Sequence, residues 1–91
     1  MQEGRYKLML FISGMSVKSV HAINNLKKIC DEHLVNNFDL QIIDISKEKE
    51  KAAEYQIFAV PALIKLEHLP VRTILGDMSD TEKVLRILEI A

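Results

Sequence analysis

The sequence predicts an α/β fold, a sheet begun by a strand–helix–strand unit, and three observations carry that reading. Tyr6 to Ile12 is an apolar run broken by Lys7. Val20, Ile23, Leu26, Cys30 and Leu34 then recur at helical spacing, and Phe38, Leu40 and Ile42 afterwards alternate with Asp39 and Gln41. Strand, long helix and strand in that order imply a right-handed parallel crossover. The rest of the chain continues as helix, strand, strand, helix, with no internal repeat, low-complexity tract or linker. A chain of 91 residues has room for one core, so residues 1–91 read as a single domain.

Tyr6–Ile12 has the pattern of a strand covered on both faces, which belongs in the middle of a sheet. The helix runs from Ser16 to Leu34, with Asn24, Lys27, Lys28, Asp31 and Glu32 mostly on its solvent side. The second strand, Phe38–Ile45, alternates until Ile43, where both faces become apolar. Lys47–Lys51 is permissive for helix but offers little to hold it to a core; Ala52, Ala53 and Tyr55 supply its face. Ala59–Leu66 is strand-like, with Pro61 near its start, where a missing N–H costs least. Glu67–Pro70 reads as a turn, and Val71–Leu75 as an adjacent antiparallel strand ended by Gly76 and Asp77. Ser79-Asp80-Thr81-Glu82 reads as a capping box in which Ser79 accepts from the Glu82 N–H. A last helix carries Val84, Leu85 and Leu88.

Twelve Lys and Arg against thirteen Asp and Glu give a net charge of -1, and the lysines are interleaved with glutamates. That balance excludes a dedicated nucleic-acid binder, whose affinity needs cations clustered on one face. No apolar run approaches the roughly 20 residues of a membrane span, and Met1-Gln2-Glu3-Gly4-Arg5 lacks a signal-peptide layout, so a cytoplasmic location is expected. Cys30 is the single cysteine; it cannot form an internal bridge, and its place in the helix stripe makes it a small buried hydrophobe. His21, His33 and His68 fall on a helix face, a helix end and a turn, a spacing that suits no metal site. Asp77 and Asp80 beside Ser79 suit a helix start better than a phosphate or metal loop. Lys65 and Arg72, on neighbouring strands, could form a small basic patch for an acidic partner; the ordinary alternative is a solvated sheet edge.

Phe11-Ile12-Ser13-Gly14-Met15-Ser16-Val17-Lys18-Ser19 resembles the start of a thioredoxin-type domain, in which an enzyme carries Cys-x-x-Cys at the places held here by Ser16 and Ser19. Disulfide exchange needs one sulfur to attack and a second to resolve, so the frame is present without its redox pair. Taken from Tyr6 to Val84, the chain resembles the KaiB family. The landmarks are Phe11-Ile12-Ser13-Gly14, Ser19-Val20, Ile43-Asp44-Ile45, Ala59-Val60-Pro61-Ala62-Leu63, and Pro70-Val71-Arg72 followed by Ile74-Leu75-Gly76-Asp77-Met78-Ser79-Asp80 and Glu82-Lys83-Val84-Leu85.

This resemblance implies a thioredoxin-like KaiB fold, β-α-β followed by a C-terminal half that is either α-β-β-α or the rearranged β-α-α-β of a fold-switching ground state. It implies a non-enzymatic regulator without a cofactor that binds a KaiC-like ATPase and modulates its phosphorylation or signalling state. It also implies self-association as a homotetramer or dimer. The partner-binding residues it points to are His21, Lys65 and Arg72, and the fold and switch positions are Pro61, Gly76, Asp77, Ile87 and Glu89. A cis bond at Val60–Pro61 is implied as well, although trans is the ordinary state of an X–Pro bond; the residues alone leave both open. Val84-Leu85-Arg86-Ile87-Leu88-Glu89-Ile90 is apolar and β-branched enough to serve as helix or strand. Met15-Ser16-Val17, His21 and Ile87-Leu88-Glu89 depart from the clock proteins' pattern, which favours a related system outside the clock, such as stress signalling. The same frame also forms the N-terminal sensor of KaiC-binding histidine kinases, the alternative reading.

Overall fold

The computed structural model describes residues 6–66 and 72–89. The elements follow the predicted order: β1 (Tyr6–Ile12), α1 (Val17–His33), β2 (Phe38–Asp44), α2 (Lys49–Glu54), β3 (Ala62–Lys65), β4 (Arg72–Leu75) and α3 (Thr81–Ile87). The sheet order is β2-β1-β3-β4. β1 pairs with β2 in parallel over seven positions, from Tyr6 opposite Phe38 to Ile12 opposite Asp44. It pairs with β3 antiparallel over four, from Leu8 opposite Lys65 to Phe11 opposite Ala62. β4 lies antiparallel to β3, with Leu63 opposite Ile74. The turn expected at Glu67–Pro70 lies outside the described residues.

The alternation along β1 divides the core in two. Leu8, Leu10 and Ile12 face Leu26, Ile29, Cys30, Val84 and Leu88 of the α1 and α3 layer. Met9 and Phe11 face the other way, with Ile43, Ala62 and Ile64. A strand buried on both faces is the expected consequence of a continuous apolar run. On α1 the buried stripe is Ser19, Ala22, Leu26, Ile29 and Cys30. Val20 and Ile23, placed in that stripe by spacing, are only half-buried. Ser19 and Ala22, both fully buried, take the places on the contact face that spacing assigned to Val20 and Ile23.

α2 buries none of its six residues. Its segment is held instead by Tyr55, whose ring lies 6.0 Å from that of Phe11 at 54°, and by Ile57 and Val60 against the second cluster. β3 is shorter than the Ala59–Leu66 expected: residues 59–61 form a bend, where the Val60–Pro61 bond is cis, and Leu66 lies beyond the strand. The capping frame of α3 is displaced by one residue. Asp80, not Ser79, is the N-cap and accepts from the Lys83 N–H at 3.1 Å. Ser79 instead donates its N–H to Asp77 Oδ1 at 3.1 Å, and a carboxylate is at least as good a capping acceptor as a hydroxyl.

Asp44, the last residue of β2, ties the loop after β1 to the sheet. Its Oδ1 accepts from Gly14 N–H at 3.1 Å, Ser46 N–H at 2.9 Å and the Ser46 hydroxyl at 2.7 Å. Gly14 turns there at φ +58°, a conformation that an L side chain adopts only with strain. The Ser46 hydroxyl first, then the Ser46 and Gly14 N–H groups, hold the Asp44 carboxyl below its ordinary range. A lowered native pKa means stability that is present above the unfolded value of about 4 and is lost as pH falls through the native one. Urea denaturation of wild type and Asp44→Asn should therefore show a stability gap at pH 7 that narrows below about pH 4. A gap that does not change with pH would contradict this role.

Candidate functional site

At the place of a thioredoxin's redox pair, Ser16 and Ser19 form a closed hydrogen-bond unit. The Ser16 hydroxyl donates to Ser19 Oγ at 2.8 Å, and Ser16 Oγ caps α1 by accepting from the Ser19 N–H at 3.3 Å. Ser19 Oγ also accepts from the Ser13 N–H at 3.2 Å, and the Ser19 side chain is fully buried. Both oxygens are thus spent on holding the loop and starting the helix. A serine cannot form the mixed disulfide of exchange chemistry. Cys30 offers no substitute: it is buried in the α1 stripe, and desolvation, with the Asp31 charge behind it, pushes its thiol up to about 12.

The other positions singled out from sequence fall into three groups. His21, Gly76 and Asp77 come together where α1 meets the loop after β4. Asp77 Oδ1 is held by Ser79, and the carboxyl is lowered by the Ser79 bonds first, with His21 contributing. Gly76 has φ +108° and donates its N–H to the Pro61 carbonyl at 2.9 Å, so Pro61 and Gly76 fasten the start of β3 to the end of β4. Arg72, Glu89 and Ile87 form the second group. Arg72 Nη2 lies 3.7 Å from Glu89 Oε2, with both side chains about half exposed, a pair worth little in stability. Ile87 is half-buried against the α1 and α3 core.

Lys65 stands apart, and here the expectation of a surface basic patch is corrected. Lys65 is opposite Arg72 in the β3–β4 register, so the two are neighbours as expected. Arg72 is exposed, but Lys65 has no exposed surface, and its Nζ has no hydrogen-bond partner among the described residues. It shares the parity of Leu63 along β3 and so points into the layer beneath α1 and α3. His21 and Arg72 remain accessible to a partner. His33 is exposed at the end of α1, and His68 lies outside the described residues.

Sequence reasoning missed Asn25. Its Nδ2 donates to the Asp77 carbonyl at 2.9 Å, joining α1 to the loop after β4 across 52 residues of chain. Its position four residues after His21, on the same helix face, was the available signal. An exposed apolar rim was also missed. Met15, Val17, Phe58 and Leu75 are more than half exposed, and all belong to the sheet end where β1 stops, β3 begins and β4 stops.

Comparison with known proteins agrees with this architecture. Among solved structures, the germline thioredoxin Deadhead of Drosophila melanogaster superposes with a TM-score of 0.76 at 13% identity, over 97% of this chain and 82% of that one. The N-terminal domain of Synechococcus elongatus SasA superposes with a TM-score of 0.75 at 21% identity, over 93% and 84%. Both likenesses establish the thioredoxin-like fold. The circadian clock protein KaiB3 of Synechocystis sp. (strain PCC 6803) is 43% identical over 90 residues, covering 99% of this chain and 88% of the relative. The circadian clock oscillator protein KaiB of Synechococcus elongatus (strain PCC 7942) is 41% identical over 85 residues, 93% and 83%. The family model described as the KaiB domain matches residues 9–90. With a thioredoxin frame whose redox positions are serines, and with this extent of shared sequence, the chain belongs to the KaiB family.

Proposed function

We propose that this protein is a non-enzymatic regulator that docks on a KaiC-like ATPase and alters its phosphorylation or signalling state. The observation that carries the reading is the Ser16–Ser19 unit, which occupies the reactive corner of the frame with two hydroxyls engaged in structure. What remains available at that corner is a surface. Met15, Val17, Phe58 and Leu75 present apolar area there, while His21 and Arg72 are exposed polar contacts on α1 and β4. Family membership supports the partner class, and the departures at Met15-Ser16-Val17 and Ile87-Leu88-Glu89 favour a related stress-response system over the circadian oscillator itself. Among the described residues no helix is long and apolar enough to cross a membrane, in keeping with a proposed cytoplasmic setting.

The second element of the proposal is a rearranging C-terminal half. Pro61, Gly76, Asp77, Ile87 and Glu89 are the positions at which it would turn or repack, and self-association as a homotetramer or dimer would cover the apolar strand edges exposed by rearrangement. Three outcomes are expected. A pull-down with the KaiC-like ATPase, run with and without nucleotide, recovers a complex in at least one condition; no complex in either removes the regulator reading. Sedimentation at high concentration shows dimer or tetramer, and a chain that is monomeric at every concentration contradicts self-association. Insulin reduction shows no turnover, and turnover that survives Cys30→Ser would return the protein to the enzymes.

A further inference from the structure

The residue least at ease in this packing is Lys65. Its side chain has no exposed surface, its ammonium has no partner among the described residues, and it lies on the apolar face that carries Leu63. A buried polar group without a hydrogen bond costs free energy, and an unpaired cation costs more. Its register partners worsen its position. On β1 it faces Leu8, which offers no acceptor. On β4 it faces Arg72, a second cation, and like charges directly opposite one another in an antiparallel pair repel. The carboxylate of Glu89 lies 3.7 Å from Arg72 and pairs with that cation instead.

We propose that Lys65 is a built-in destabiliser of the β3–β4 pairing, a charge that this packing buries and any packing that lifts residues 72–89 away from β3 would release. The penalty is specific to the register, because it needs β4 alongside β3 and the α3 layer above it. β1 and β2 form their seven pairs without it. Lys65 thereby weakens the C-terminal half while leaving the N-terminal half intact. The consequence for a second packing rests on the regulator reading above; the effect on stability does not.

Lys65→Met keeps the length of the side chain and removes the charge. In urea denaturation it is expected to raise the folding equilibrium constant at least tenfold. In the wild-type chain, native-state hydrogen exchange should show β3 and β4 amides opening at least tenfold faster than those shared by β1 and β2, and Lys65→Met should narrow that difference. Where a second packing is populated, NMR should show its fraction falling in the variant. A variant that is less stable, equally stable or unfolded overturns the proposal, as does uniform exchange across the wild-type sheet. A more stable variant of a chain with one packing only upholds the proposal and removes the switching reading instead.

Discussion

The four-residue ladder between β1 and β3 is the contact on which the rest of this structure depends. β1 is buried on both faces and paired on both edges, and its two edges are unequal: seven register pairs to β2 and four to β3. The first pairing is a local consequence of a strand, a helix and a strand in succession. The second joins segments more than fifty residues apart, and everything after α2 hangs from it. β4 reaches the sheet through β3, and α3 reaches the core through the layer that β3 and β4 help to form. Asn25 on the Asp77 carbonyl and Gly76 on the Pro61 carbonyl are the polar fastenings that keep the half in place. An N-terminal half with an extensive register and a C-terminal half with a short one give the molecule unequal resistance to opening.

The chemistry of the corner follows the same economy. In an oxidoreductase the turn after β1 presents a thiolate at a helix N-terminus, where the dipole favours it. Here the same positions are Ser16, which caps the helix, and Ser19, which is buried and bridges Ser16 to the Ser13 N–H. Asp44 holds the turn from below through Gly14. The result is a hydrogen-bonded loop without a thiol, flanked by exposed Met15, Val17 and Phe58.

Much of this was legible in the sequence because it rests on periodicity. The central place of β1, the parallel crossover through α1, the burial of Cys30 and the antiparallel β4 all follow from where apolar residues recur. Four features were not legible, and each depends on geometry that one-dimensional spacing does not carry. The cap of α3 is Asp80, one residue beyond Ser79, and Asp77 accepts the Ser79 N–H, so two acidic residues share the turn in a way that the motif does not specify. α1 buries Ser19 and Ala22 in place of Val20 and Ile23, and a hydrophobicity count undervalues such small residues. Lys65 was read as surface because lysines ordinarily are, whereas the parity fixed by Leu63 sends its side chain into the core. The Asn25 contact needed knowledge of where the loop after β4 comes to rest.

Under the proposed function, the packing described here, with β4 on β3, is the form that would meet a KaiC-like ATPase. The direct measurement is the cross-strand NOE between Leu63 and Ile74 in isotopically labelled chain bound to an unlabelled KaiC-like ATPase. The account predicts that this contact is present in the complex, whatever other packing the free chain populates. A complex in which the contact is absent, with residues 72–89 paired elsewhere, would contradict it.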